Sequence, residues 1–220
     1  MNPDSSDTLS AQGAFPAEGE RTEHLCRIVI LAARQQHEAL ERQIRAALAA
    51  SCSHGDVYEA LTQLYLFCGF PAALEGLLCL HNVVQMIPDL TPTQPEAYDP
   101  AAFAARGEEL CRRIYTSAYD KMRERLAAAA PDLDQWMIVE GYGKTLARPQ
   151  LDIGTRELLI VAVLCVGGWE RQLFSHLRGA LNVGTDAAAC RAVIDLADAA
   201  DPDARRRHHE ILDRILRRSS

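Results

Sequence analysis

The amino-acid sequence predicts an all-α protein built as a tandem repeat of one helical unit. Two observations carry this. Apolar residues recur every three or four positions, and no segment alternates with a period of two between turn signals. In addition, Gly154–Gly184, GTRELLIVAVLCVGGWERQLFSHLRGALNVG, has a faded copy earlier in the chain. An ungapped shift of 129 positions pairs Arg27 with Arg156, Ala33 with Ala162, Leu48 with Leu177 and Gly55 with Gly184. It also pairs Glu41-Arg42-Gln43 with Glu170-Arg171-Gln172. Such a repeat implies two copies of one unit whose apolar faces pack together. Only the second copy carries a central histidine, His176; the first has Ala47 there.

The elements follow in order. Residues 1–20, rich in Ser, Asp, Gly and Pro, read as a disordered arm. Leu25, Ile28, Val29, Ala32 and Ala33 mark a first amphipathic helix, and Glu38–Ala50 a second. Gly55 is expected to end it with a positive φ and Asp56 to cap the next helix, Val57–Phe67. Gly69-Phe70-Pro71 breaks that run before a further helix, Ala72–Met86. The degenerate N-terminal repeat thus covers 21–87. Four prolines (Pro88, Pro92, Pro95, Pro100) make 88–100 an extended linker, and 101–220 is the second domain. There, Phe103, Leu110, Ile114, Ala118, Met122 and Leu126 form one stripe, read as a single long helix stopped by Pro131. Residues 132–153 read as a short helix and a loop. Asp152 caps the helix through Arg156–Val166, Gly167-Gly168 breaks it, and Trp169–Asn182 is the next. Gly184 and Thr185 repeat the stop and cap of Gly55 and Asp56.

Bulk properties bound the function. The 220 residues are 48% hydrophobic and 24% charged, ordinary for a globular protein. A net charge of −7 provides no broad positive field for a phosphate backbone, so no nucleic-acid partner is expected. Seven scattered cysteines without C-x-x-C spacing suit a reducing cytosol. The polar N-terminus lacks signal-peptide character, and the longest apolar run, Leu158–Val166, is too short to span a bilayer. The expectation is a cytoplasmic protein with no membrane partner.

On the Trp169–Asn182 helix, Trp169, Gln172, Leu173, His176 and Ala180 share one face. His176 is the candidate proton-transfer group, and Glu157, on the preceding helix, is the carboxylate placed to tune it. A hydrogen-bonded structural role for His176 stands beside that reading, as does a macrodipole role for Glu157. Trp169 reads as core, His208-His209 as a solvated charged tail, and His81 as a capping or core residue. Cys165, eleven residues before His176, has no second cysteine nearby to form a dithiol centre. HExxH, paired-cysteine and phosphate-loop motifs are not present, and no metal or other cofactor is expected.

LDIGTRELLIVAVL…ERQLFSHLRGALNVG resembles the core of the carboxymuconolactone decarboxylase family, which includes alkylhydroperoxidase D-like proteins. The resemblance covers 105–195 and, more weakly, 25–80. In the first half LTQLYLFCGFPAALEGL resembles the segment that normally ends a family domain, whereas the second half reads LADAADPDA there. The expectation is therefore that Tyr65–Pro71, Tyr65 and Phe70 included, close the pocket around His176. The resemblance implies an all-α homo-oligomer. Single-domain members commonly form rings of six, so a two-domain chain gives a trimer with pseudo-sixfold shape. Peroxidase-type members use a C-x-x-C whose positions here are Trp169 and Gln172. Without that thiolate the resemblance favours a cofactor-independent lyase on a small carboxylated lactone or related acid, with His176 as acid/base. Gln172, Trp169, Arg156, Phe70 and Tyr65 would contact this substrate, Arg156 through its carboxylate, although Arg27 repeats Arg156 in the half without histidine, which favours a structural role for Arg156. An alkylhydroperoxidase-like antioxidant and a non-enzymatic scaffold are the alternatives.

Overall fold

The computed structural model describes Phe15 and residues 19–87 and 94–219, and these are helical throughout, without strands. Most of the expected disordered arm (1–14 and 16–18) and about half of the expected linker (88–93) lie outside the described residues. Two helices make the centre. Helix α1 (Glu20–Ala33) buries Leu25, Cys26 and the run Ile28–Ala32. Helix α8 (Ile153–Gly167) buries every residue from Thr155 to Cys165. A helix apolar on all sides must be enclosed, and α8 is enclosed by α1, α9, α10 and α4. The 129-position offset lays α1, α2 (His37–Ala50) and α3 (His54–Thr62) over α8, α9 (Glu170–Asn182) and α10 (Ala187–Ala197), with ends displaced by a few residues. The two central helices are partners under that offset, and they pack against each other.

Local chemistry sets most boundaries. Asp152 accepts from the Thr155 amide to start α8, and Gly168 (φ 67°) ends it in the left-handed region. Gly184 (φ 93°) closes α9. The cap that follows is Asp186, accepting from Ala188 N, not Thr185. In the first half the expected grammar is also displaced. Gly55 lies inside α3, and Ser53 is the cap, exchanging hydrogen bonds with Asp56 in a capping box. Helix α4 (Tyr65–Val84) is interrupted at Gly69 (φ 81°, ψ 167°), where the sequence places a break. By length and composition α4 is apolar enough to cross a membrane, but that kink divides it.

The stripe from Phe103 to Leu126 is not one helix. Helix α5 (Pro100–Tyr115), capped by Asp99, ends where Thr116 takes φ 50°. A 3-10 turn, Thr116–Ala118, then leads into α6 (Tyr119–Ala129). The break is stabilised from outside the segment: Asn182 donates to the Ile114 carbonyl at 2.7 Å, and Tyr142 donates to the Tyr115 hydroxyl at 3.2 Å. Beyond α7 (Pro131–Trp136), the residues expected to loop wind as a π-helix, Met137–Leu146. Two glycines let α5 and this segment meet backbone to backbone. A Cβ on Gly143 would stand 1.9 Å from the Phe103 carbonyl oxygen, and one on Gly107 2.2 Å from that of Ile138.

Helix α11 (Pro202–Ser219) is no solvated tail. It buries Ile211, Leu212 and Ile215, together with His208, whose Nδ1 lies 2.7 Å from Asp198. His209 pairs with Asp195 at 2.9 Å, and His81 is exposed rather than core.

The clash at Gly143 is with main chain, which cannot rotate away. Gly143→Ala is therefore expected to cost about 3 kcal/mol or more by overpacking, read as a lower urea midpoint. Gly141→Ala, where an added Cβ meets nothing within 4 Å, is expected to stay near wild type.

Candidate active site

Helices α8 and α9 bring Glu157 and His176 together. The carboxylate Oε2 lies 2.9 Å from His176 Nδ1, with Glu157 fully buried and His176 5% exposed. The second carboxylate oxygen, Oε1, has no hydrogen-bond partner among the described residues. Buried polar atoms are nearly always paired, so an unpaired carboxylate oxygen beside an imidazole marks a functional position. Gly179, one turn beyond His176, makes room for this carboxylate. A Cβ there would stand 2.7 Å from the Ile114 side chain and 3.0 Å from Glu157 Oε2.

Because Nδ1 faces Glu157, Nε2 is the ring nitrogen left for other partners. His176 lines a cavity of about 620 Å³, a size that suits a small molecule. Both halves of the chain build it. From α4 come Tyr65, Phe67 and Phe70, with Phe67 edge-on to the His176 ring at 5.5 Å between centroids. From the second half come Tyr115, Trp136, the π-helix and Gln172. The Gly69 kink lies between Phe67 and Phe70 and re-aims the chain along this wall.

The π-helix supplies the polar part of the wall. The Glu140 carbonyl accepts from the Thr145 hydroxyl at 2.8 Å and from Tyr65 at 3.2 Å. These side-chain donors occupy the carbonyl that a regular helix would bond internally. Lys144 pairs with the Glu140 carboxylate and lies over the Tyr65 ring at 5.5 Å. Tyr98 donates to the same carboxylate at 2.7 Å. Among the described lining residues, Lys144 is the one lysine or arginine. Burial pushes the Tyr115 hydroxyl up to about 12 and the Tyr142 hydroxyl well above its ordinary value, so both remain neutral donors.

The structure thus gathers His176, Glu157, Gln172, Tyr65 and Phe70 in or directly behind one cavity. Two expected contacts lie elsewhere. Trp169, 61% exposed, caps α9 after the left-handed turn at Gly168 and is neither core nor cavity wall. Arg156 is fully buried, and its donors are consumed internally. Nη2 reaches Glu59 Oε2 and the Arg148 carbonyl, both at 2.9 Å, Nη1 reaches Gln63 at 3.2 Å, and Nε the Leu151 carbonyl at 3.3 Å. It lacks the free donors a substrate carboxylate requires. Lys144, Tyr115 and Gly179 escaped the sequence reading, whereas Phe67 falls within the Tyr65–Pro71 segment expected at the pocket. Gly143 was the signal that residues near 140 approach other chain closely.

Cysteines are not part of the described wall. Cys111 and Cys190 feel the Glu157 charge, but burial above all pushes both thiols up to about 12. Neither supplies a thiolate near neutral pH.

A model described as Carboxymuconolactone decarboxylase family matches residues 11–81. That segment is thus similar to the carboxymuconolactone decarboxylase family. The match falls on the half whose resemblance was the weaker, and it contains the whole LTQLYLFCGFPAALEGL segment. A relative, Peroxisomal protein 2 of Saccharomyces cerevisiae (strain ATCC 204508 / S288c), is 29% identical over 154 residues. The alignment covers 59% of this chain and 54% of the relative, so the chain spans about half the length of the curated protein it matches. An alignment of that extent is longer than either half of a carboxymuconolactone decarboxylase-like chain divided at 88–100, so it crosses between them.

Removing Arg156 would leave the buried Glu59 with one of its two arginine partners, Arg148. Arg156→Met is expected to destabilise the fold by about 3–5 kcal/mol, measured by denaturant unfolding. A loss of substrate affinity with stability intact would return Arg156 to the binding site.

Proposed function

We propose that the chain is a cofactor-independent lyase of carboxymuconolactone decarboxylase type, acting on a small carboxylated lactone or related acid. The observation that supports this most is the buried Glu157–His176 pair set into the wall of a largely aromatic cavity. Aromatic walls exclude water and raise the energy of a bound carboxylate, which favours its loss as CO2. When the C–C bond breaks, its electron pair moves into the conjugated carbonyl and forms an enolate. Lys144 and the neutral Tyr115 hydroxyl are the groups suited to stabilise the enolate oxygen. His176, held in orientation by its hydrogen bond to Glu157, delivers a proton to carbon and recovers one from water, so charge and protons balance.

The peroxidase reading has less support, because it needs a thiol at His176 and the nearest thiols feeling Glu157 are held neutral by burial. The scaffold reading leaves the cavity and the unpaired Glu157 oxygen without a use. A cytoplasmic setting is proposed from the scattered, unpaired cysteines; the printed name of the yeast relative favours a peroxisomal one as the second reading. We propose further that the protein is a homo-oligomer, a pseudo-sixfold trimer or a hexamer. Phe70, Leu74 and Leu78 on α4, with Leu133 and Trp136 on α7, expose apolar area that association would cover.

CO2 release from a panel of carboxylated lactones is the direct test of the lyase. His176→Asn and Glu157→Gln are expected to lower kcat by about 10²–10⁴, while Lys144→Met, which removes the enolate stabiliser, lowers kcat and leaves the fold intact. Wild-type turnover unchanged by His176→Asn would remove the proposal. Light scattering on the purified full chain is expected to give a multiple of the 24.2 kDa chain mass, and a monomer mass would remove the assembly.

A further inference from the structure

A second group of chemically capable side chains lies apart from the cavity. Cys165 near the end of α8, Asp198 at the C-cap of α10 and His208 in the middle of α11 converge where the three helices meet. One ligating atom from each lies within 4.8 Å of the other two. All three residues are buried: Cys165 4%, Asp198 4% and His208 1% exposed. His208 Nδ1 lies 2.7 Å from Asp198 Oδ2. None of the three lines the catalytic cavity.

Thiol, imidazole and carboxylate are the three side-chain types that bind Zn2+, and the sulfur disfavours hard cations such as Mg2+ and Ca2+. We propose that Cys165, Asp198 and His208 form a structural binding site for a transition-metal dication of the Zn2+ class. Charge supports the assignment. One thiolate, one carboxylate, a neutral imidazole and a dication sum to zero, which a buried site requires. Binding displaces the Cys165 thiol proton and requires His208 Nδ1 to bear no hydrogen. Bonds of about 2.0–2.1 Å to nitrogen and oxygen set tetrahedral ligands about 3.3 Å apart. The His208–Asp198 contact therefore opens by about half an ångström on loading, a rotamer-scale adjustment. The fourth position falls to the other Asp198 oxygen or to a water.

The consequence would be mechanical. The three ligands sit on α8, α10 and α11, so the ion ties the C-terminal helix to the central one through bonds rather than through packing alone.

The test uses the full chain, stripped with a chelator and titrated with Co2+, whose thiolate complexes absorb strongly in the near ultraviolet. One equivalent per chain is expected, with a thiolate-to-cobalt band that Cys165→Ser abolishes and His176→Asn leaves in place. X-ray absorption on Zn2+-loaded wild-type protein covers the case in which the variant fails to fold. It is expected to show one sulfur at about 2.3 Å with nitrogen or oxygen neighbours at about 2.0–2.1 Å. Failure to bind one equivalent, a band that survives in Cys165→Ser, or a zinc shell without sulfur would each overturn the site and leave His208–Asp198 as a buried ion pair. None of these results bears on the lyase.

Discussion

The Arg156–Glu59 ion pair is the contact on which the rest of the structure depends. It joins α3 in the first half to α8 in the second, with 0% and 3% of the side chains exposed. A guanidinium so deeply buried is tolerable only because carboxylate, amide and carbonyl oxygens occupy its donors. Glu59 in turn takes a second arginine, Arg148, at 2.7 Å. The clamp fixes the rotation of α8 about its own axis, and so the direction of the next residue, Glu157. It also holds Gln63, two residues before the start of the α4 wall. One buried network thereby sets both the carboxylate behind the histidine and the aromatic surface in front of it.

Around that anchor, electrostatics and space are arranged unequally. Glu157 offers one oxygen to His176, and the other has no hydrogen-bond partner among the described residues. Gly179 gives the carboxylate its room, and Phe67 presses the imidazole from the opposite side. The polar wall is then delivered by a helix wound one residue looser than usual. Its carbonyl at Glu140 accepts from two hydroxyls, Thr145 and Tyr65.

Features governed by nearest neighbours were legible in the sequence. Asp152, Gly168 and Gly184 act within a turn of themselves, and the break at Gly69 needs only the local demand for a positive φ. The spacing of Gln172 and His176 placed both on one helix face, and the Tyr65–Pro71 segment was tied to the pocket before any geometry existed. What escaped depends on chain far away. The π-helix exists because Phe103 and Tyr65 meet it, from 40 and 80 positions upstream of Gly143 and Thr145. Thr116 breaks α5 where Asn182 caps its carbonyl. His208 reads as one of two histidines in a charged stretch until Asp198 folds against it. For Arg156 the repeat at Arg27 pointed to a structural role, but its partners Glu59 and Gln63 lie more than 90 residues away, beyond the reach of spacing.

The Phe67–His176 contact has an evolutionary consequence. A duplicated unit ordinarily leaves a spare copy free to drift, because its twin retains the whole function. Here the ring that presses on the histidine belongs to one half and the histidine to the other. Drift at Phe67 is felt at His176, and the converse holds, so neither half is a backup for its neighbour. A break of the chain between the two halves would part the Phe67 ring from the His176 imidazole.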